Sequence, residues 1–209
     1  KGGFQGARGN KKGAEWFVEN VLELLDAPNE FWFDEATKHL YYYHNDTEGK
    51  APPSSLEFEV PRLQTLKKIV GTMANPVRNV TLRGITFKDS AYTYMEPHGV
   101  PSGGDWALQR MGAVFIEGAK GVTIDGCTFT RLDGNALLLS GYVRDAVIED
   151  NEFVWIGDSV MASWGYTAPL GTAAAGDAVL AKYKSGIDGT GGEQPRGTKV
   201  LRNFIHELR

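Results

Sequence analysis

Residues 121–165 read GVTIDGCTFTRLDGNALLLSG and then YVRDAVIEDNEFVWIGDSVMASWG, and the pattern of the first part recurs 24 positions later in the second. Val122, Ile124, Cys127 and Phe129 fall on Ala146, Ile148, Asn151 and Phe153. Each half is two short alternating strands, a tight turn between them, a polar turn, and a third apolar strand (ALLLS, then VMASW). The register extends backwards to Val80, Leu82, Ile85 and Phe87 in NVTLRGITF, and forwards to Thr198, Val200, Asn203 and Ile205 in TKVLRNFIH. The offsets between the four copies are 42, 24 and 52, so two of them exceed 24 by 18 and 28 residues. One excess lies between Phe87 and Val114, the other between Trp164 and Thr198. A fixed period with insertions confined to turns is what a solenoid shows, because each coil contacts only its neighbours.

A coil of 24 residues with three strands leaves no room for a helix, and no window between Val77 and Ile156 has long amphipathic-helix spacing. The strands are short, β-branched and aromatic, with a period of two. The expected fold is therefore all-β, a parallel β-helix whose coils stack about 4.8 Å apart. An all-β sandwich is the competing architecture, but its strands do not repeat in register at a fixed offset. Gly84, Gly126 and Asp150 mark the sharp turn between the first two strands, a place that favours residues tolerant of positive φ. Residues 1–70 are expected to hold a linker, a capping segment and an aromatic hairpin. Residues 71–209 hold the coils, with insertions at 88–112 and 165–197. The last coil is read as unfinished at Arg209, so the chain is expected to be part of a longer helix, with an open β edge that invites association.

Upstream of the repeat stands WFVENVLELLDAPNEFWFDEATKHLYYYHND. It resembles the segment that precedes the helix in secreted β-helix proteins related to glycoside hydrolases. There an ENxxELLDxPGEW run leads into a hairpin ending in LYYYP. The repeat pattern in turn resembles the right-handed parallel β-helix proteins of the pectate-lyase-like superfamily. This chain has Asn29 and His44 where that pattern often has Gly and Pro. The resemblance implies a right-handed coil, an extracellular, secreted or cell-surface setting, and a polysaccharide or glycan ligand. It leaves the reaction open, since the family includes lyases, hydrolases, epimerases and non-enzymatic adhesins.

Composition narrows the partners. With 22 basic and 26 acidic residues the net charge is −4, against the basic stripe that nucleic-acid binding calls for. No apolar run is long enough to span a membrane. Cys127 is a single cysteine and reads as a small buried hydrophobe. Two glycosylation sequons start at Asn45 and Asn79, the former in an expected loop. Residues 1–13 are Gly-rich and basic, a linker lacking any phosphate-loop pattern. EWFVENVLELL suits a short helix or a strand, and FWFD with HLYYY reads as a hairpin across 35–38. Its rings either cap the first coil or form a sugar-stacking platform.

Chemistry in a filled solenoid is expected on loops that wall an outer groove. The first insertion carries Tyr92, Tyr94, Glu96, His98, Asp105, Trp106 and Arg110. Aromatics stack on sugar rings, Arg holds carboxylates or hydroxyls, and Glu or Asp transfers protons. At its base lie two polar turns, Asp133 with Asn135 and Asp158 with Ser159, expected side by side on adjacent coils about 5 Å apart. A hydrolase would draw its pair from Asp133, Asp158, Glu96 and Asp105, with one carboxyl raised by burial against Trp106 or Trp155. A separation of about 5 Å points to retention, and about 6.5–9.5 Å to inversion. The sequence calls for no cofactor, though the same carboxylates are the oxygen ligands that Ca²⁺ takes. Turn chemistry alone also explains Asp-Gly and Gly-Asp. The second insertion offers Lys182, Tyr183, Lys184 and Arg196 to an acidic polysaccharide, as a lyase or epimerase would need, with His98 as another base. His206 has no metal-type spacing and reads as a surface or structural residue. A non-enzymatic adhesive protein that binds glycan through its aromatic loops is the third reading.

Overall fold

The computed structural model describes residues 18–46, 50–98, 109–166 and 191–208. The expectations for Asp105, Trp106, Lys182, Tyr183 and Lys184 lie outside the described residues, as does Thr47 of the first sequon. The chain divides into two compact units, with the division between Glu59 and Val60.

In the unit that ends at Glu59, the ambiguous EWFVENVLELL stretch is described from Val18 onward, and that part forms no α-helix and no strand. Its described part holds one 3-10 turn, Leu22–Leu24. The expected hairpin is present: β1 (Phe31–Asp34) runs antiparallel to β2 (His39–Tyr42), with Phe31 opposite Tyr42 and Asp34 opposite His39. Asp34 builds the turn. Its carboxylate accepts from the Thr37 hydroxyl at 2.6 Å and the Ala36 amide at 2.9 Å. The Thr37 hydroxyl, aided by these amides, holds the Asp34 carboxyl below its ordinary value.

The unit from Val60 onward is built of parallel strands. They are β3 (Lys67–Val70), β4 (Val77–Arg78), β5 (Thr81–Arg83), β6 (Thr86–Ser90), β7 (Val114–Lys120), β8 (Thr123–Asp125) and β9 (Thr128–Leu132). Then follow β10 (Leu137–Arg144), β11 (Val147–Glu149), β12 (Glu152–Ile156), β13 (Met161–Trp164), β14 (Lys199–Leu201) and β15 (Phe204–His206). They form three sheets, ordered β3-β7-β10-β13, β5-β8-β11-β14 and β6-β9-β12-β15, with β4 also on β7. The chain visits the first, second and third sheet in turn and then returns to the first. Each pass is one rung laid on the previous one. Leu82, Ile124, Ile148 and Val200 align across the second sheet, and Phe87, Phe129, Phe153 and Ile205 across the third. These are the alignments that the sequence repeat requires.

The corners explain why the period holds. Asn79, Gly121, Asp145 and Gly197 have φ between +53° and +71°. Five residues later in each rung, Gly84, Gly126, Asp150 and Arg202 have φ between +51° and +62°. Five further on, Asp89, Arg131, Trp155 and Glu207 have φ between +48° and +58°. A left-handed residue turns the chain sharply, and Gly, Asn and Asp reach it with least strain. Arg131 and Trp155 hold the same conformation between ladders on both sides, and Arg202 and Glu207 repeat it on the last described rung, laddered to the rung before. Gly118, at φ +58°, is needed for another reason: a Cβ there would lie 2.1 Å from the Gly71 carbonyl carbon.

The interior is mainly apolar. Ile116, Val122, Ile124, Cys127, Phe129, Ile148 and Phe153 are essentially fully buried, and Cys127 is a free thiol. Three phenylalanines stack across rungs, Phe87 on Phe129 at 5.0 Å and Phe129 on Phe153 at 4.6 Å. Asparagines bridge the corners between the second and third sheets. The Cys127 amide donates to Asn151 Oδ1 at 2.8 Å, and the Asn151 amide donates to Asn203 Oδ1 at 3.0 Å. No helix among the described residues is long and apolar enough to cross a membrane, which says nothing of β-barrels.

Arg202 gives the corner a pH dependence. Its Nε donates to Asp150 Oδ1 at 2.8 Å and its Nη2 to Glu149 Oε2 at 2.7 Å. The hydrogen bond from Arg202 holds the Asp150 carboxyl below its ordinary value. Its contribution to stability is therefore present at neutral pH and lost as pH falls through the carboxylate range. Arg202→Gln is expected to return Asp150 to an ordinary titration, followed by carboxyl-carbon NMR. The same low midpoint in both proteins would refute the assignment.

Candidate functional site

The first insertion leaves the third sheet after Ser90 and lies back against the rungs through backbone bonds. The Ala91 amide donates to the Leu63 carbonyl and the Thr93 amide to the Asp133 carbonyl, both at 2.9 Å. Thr93 packs on Gly134, where an added Cβ would lie 2.3 Å from Thr93 Oγ1. The returning end is held by Asn135, whose Nδ2 donates to the carbonyls of Gln109 at 3.2 Å and Met111 at 2.9 Å. Asn135 Oδ1 accepts the Ser159 amide at 3.2 Å, so this residue also ties two rungs together. Asn135 is thus a corner residue, spent on the backbone.

Beside that base is an open cavity of about 480 Å³, whose lining includes Arg62, Gln64, Lys68, Tyr92, Glu96 and Met111. Gln64 Nε2 donates to Glu96 Oε1 and to the Tyr92 carbonyl, both at 3.0 Å. His98 Nδ1 donates to the Glu96 carbonyl at 2.8 Å, which closes the turn. Tyr92 and Tyr94 are half-exposed and their rings are 5.1 Å apart. The wall therefore combines two cations, a carboxylate, an amide and one exposed ring, Tyr92.

Asp133 and Asp158 are exposed on adjacent rungs, but they do not face each other directly. Leu132 pairs with Ile156, so Asp133 stands opposite Gly157 and Asp158 opposite Gly134. The rung period is 24 while the two aspartates are 25 apart, which shifts them by one residue. A Cβ on Gly157 would lie 3.3 Å from Asp133 Cα, so the two turns are in close contact. Asp158 Oδ1 accepts from the Ser159 hydroxyl at 3.3 Å.

A second polar cluster lies on the outward face of the first sheet, where the first insertion ends and the second begins. Glu117 and Ser140 are paired in register, and Ser140 is paired with Trp164 on the other side. Ser140 and Tyr166 both donate hydroxyls to Glu117 Oε2, the tyrosine at 2.8 Å. Burial pushes the Tyr166 phenol up, so it remains a donor. Arg110 donates to Ser140 Oγ at 2.8 Å and to the carbonyls of Trp164 at 2.6 Å and Gly165 at 2.9 Å. Its guanidinium also lies 4.1 Å from the Trp164 ring centre and 4.3 Å from that of Tyr166. Arg110, expected to hold substrate, here fastens the end of one insertion to the start of the other.

Arg196 sits at the far end of the second insertion. It exchanges backbone bonds with Asp145 and Val143 at 3.0 and 2.9 Å, and its Nη2 donates to Gln194 Oε1 at 3.3 Å. His206 Nε2 is 3.2 Å from Glu152 Oε1, a structural contact between rungs. Asn45 and Asn79 are both exposed, but Asn79 occupies a left-handed corner with its Oδ1 against Gly121. Thus Tyr92, Tyr94, Glu96 and His98 come together, with Asp133 joined to them through Thr93. Arg110 and Arg196 serve the second insertion. Sequence reasoning missed Glu117, Ser140 and Tyr166. The signal was a glutamate and a serine at matching positions of two strands otherwise apolar.

Among the described residues no group of three or more His, Cys, Asp and Glu is gathered to hold a metal ion. Comparison with protein-family models, with curated proteins and with solved structures finds no match to this chain.

Proposed function

We propose that the chain is a right-handed parallel β-helix of the pectate-lyase-like kind, and a secreted glycoside hydrolase that holds a polysaccharide in an outer groove. The fold reading is supported by three parallel sheets visited in rotation with corners at a constant spacing. The observation that carries the functional reading is the joining of exposed Asp133, through Thr93, to the cavity walled by Tyr92, Gln64 and Glu96. The Tyr92 ring face there suits the C–H face of a sugar, Arg62 and Lys68 offer donors to its oxygens, and carboxylates supply proton transfer. In this reading Asp133 and Asp158 are the acid–base pair and Glu96 orients the sugar. The test is release of reducing ends from a polysaccharide panel across pH. Asp133→Asn and Asp158→Asn are each expected to lower turnover about a hundredfold while binding persists. Unsaturated, ultraviolet-absorbing products would instead identify a lyase.

A second reading, glycan binding without turnover, is favoured by the exposed Tyr92–Tyr94 pair beside a cavity already lined by donors. It expects affinity to be unchanged by Asp133→Asn and to fall about tenfold in Tyr92→Ala, the scale of one aromatic contact.

A further inference from the structure

Four basic side chains occupy one register position on four successive rungs. Arg78 pairs with Lys120, Lys120 with Arg144, and Arg144 with Arg196, all in parallel. Their spacings of 42, 24 and 52 are those of the repeat. Each immediately precedes a left-handed corner residue: Asn79, Gly121, Asp145 and Gly197. Neighbouring strands lie about 4.8 Å apart, so the column sets four cations along roughly 14 Å.

Such a column costs stability, because like charges directly opposite one another repel. Other arginines of the stack avoid that cost. Arg83 meets Asp125 at 2.7 Å, Arg131 meets Asp89 at 2.6 Å and Arg202 meets Asp150 at 2.8 Å, each across one rung. The column is differently placed. Arg144 donates to the carbonyls of Val143, Gln194 and Gly192, and its guanidinium lies 4.2 Å from the Tyr142 ring centre. These contacts fix the guanidinium without neutralising it. Lys120 is 3.8 Å from Asp145, with side chains 47% and 63% exposed, a contact worth little in water. Arg78, Lys120 and Arg196 are exposed.

The geometry points to a binding strip for a linear acidic polysaccharide, with one carboxylate per sugar, laid along the stacking direction. A sugar repeat is close to one rung in length, so successive carboxylates meet successive cations. Guanidinium groups take carboxylates as a bidentate fork. A column one residue wide suits a single glycan chain, whereas nucleic acid calls for a broader basic face. The strip is separate from the cavity described above. Lys120 ends β7, and the cavity-lining Met111 precedes the other end of that strand at Val114. The strip therefore holds a polymer at the protein independently of any turnover in the cavity.

Titration calorimetry of the whole chain with oligomannuronate, which has one carboxylate per sugar, tests this at low and at physiological salt. Saturable binding that weakens as salt rises is the expected result. Arg78→Gln combined with Lys120→Gln is expected to weaken it about tenfold, the scale of two exposed ion pairs. Arg78→Lys combined with Lys120→Arg keeps both charges and is expected to bind like the parent. Tyr92→Ala, in the cavity wall, is expected to leave this binding unchanged. Hyaluronan, with one carboxylate per two sugars, is expected to bind more weakly. No binding at low salt overturns the proposal, as does undiminished binding by the double glutamine variant. Loss of binding in Tyr92→Ala would place the glycan in the cavity and overturn it. Equal affinity for hyaluronan, for uncharged mannan or for a single-stranded oligonucleotide would overturn it as well.

Discussion

Replacing Phe129 by alanine is expected to destabilise the stacked unit by about 3–5 kcal/mol, the range for truncating a buried aromatic. Phe129 is fully buried and is the middle ring of a column, 5.0 Å from Phe87 and 4.6 Å from Phe153. Its removal empties a space bounded by two other rungs, and neither can collapse into it. The rungs are locked by ladders on both sides, Phe87 and Phe153 each pairing with Phe129 in register. Truncation also forfeits two ring–ring contacts, each worth about 0.5–1.5 kcal/mol beyond area burial. Phe129→Leu keeps most of the volume and is expected to cost under half as much. Urea unfolding followed by far-ultraviolet circular dichroism checks both. Where each rung pairs only with its neighbours, stability is a sum of rung and interface contributions, so the alanine variant should also broaden the transition as the first rung separates from the rest. A midpoint within experimental error of the parent chain would rule out the column as a principal source of stability.

Asn151→Ala is expected to cost a comparable amount through hydrogen bonding. Three bonds involve its side chain: from the Cys127 amide at 2.8 Å, to the Ile124 carbonyl at 3.0 Å and to Asn203 Oδ1 at 2.9 Å. The site is buried, Asn151 being 2% and Cys127 1% exposed, so water does not replace the missing partner. A buried donor or acceptor left unpaired costs about 1–3 kcal/mol, and with two such groups the loss is about 2–6 kcal/mol. Asn151→Asp separates the contributions. It retains the acceptor for Cys127 but has no NH₂ for Ile124, and it buries a charge beside Asn203 Oδ1. It is therefore expected to be no better than alanine at neutral pH and to recover part of the loss at low pH, when protonated. Exchange of the Cys127 amide is the direct readout. Unchanged protection in Asn151→Ala would show that the corner does not depend on its ladder.

Much of this architecture is legible in the chain. Val122, Ile124, Cys127 and Phe129 on Ala146, Ile148, Asn151 and Phe153 already define the rung, and the extension to Leu82, Phe87, Val200 and Ile205 defines the stack. Gly84, Gly126 and Asp150 at equivalent positions mark a corner that has φ between +55° and +62°. The candidate site is less legible. Tyr92, Tyr94, Glu96 and His98 are visible because they are close in sequence and follow a strand end. Their cavity partners Gln64 and Lys68 are visible only in space, since Lys68 belongs to β3, which precedes the first copy of the repeat. Asp133 and Asp158 are recognisable as outward turn residues, and their one-residue offset follows from a spacing of 25 against a period of 24, but the close contact of their two turns needs the actual ladder.

The sequence by itself determined the period, the inward and outward alternation and the corners. All three are local, because a strand's side chains alternate with period two and a left-handed corner selects a small or amide-bearing residue. Tertiary structure alone decided what covers the outward faces. Leu138 alternates with core residues Leu137 and Leu139 and faces the other side of its sheet, yet it is fully buried, with Gly112 of the returning insertion so close that a Cβ added there would lie 3.2 Å from the Leu138 Cβ. Arg110 lies beside it over Ser140. Nothing in a repeat pattern encodes this cover, because the insertions carry no period. Their path follows from contacts that span 54 and 55 residues, from Arg110 to Trp164 and Gly165, and only the packed chain brings such groups within hydrogen-bonding reach.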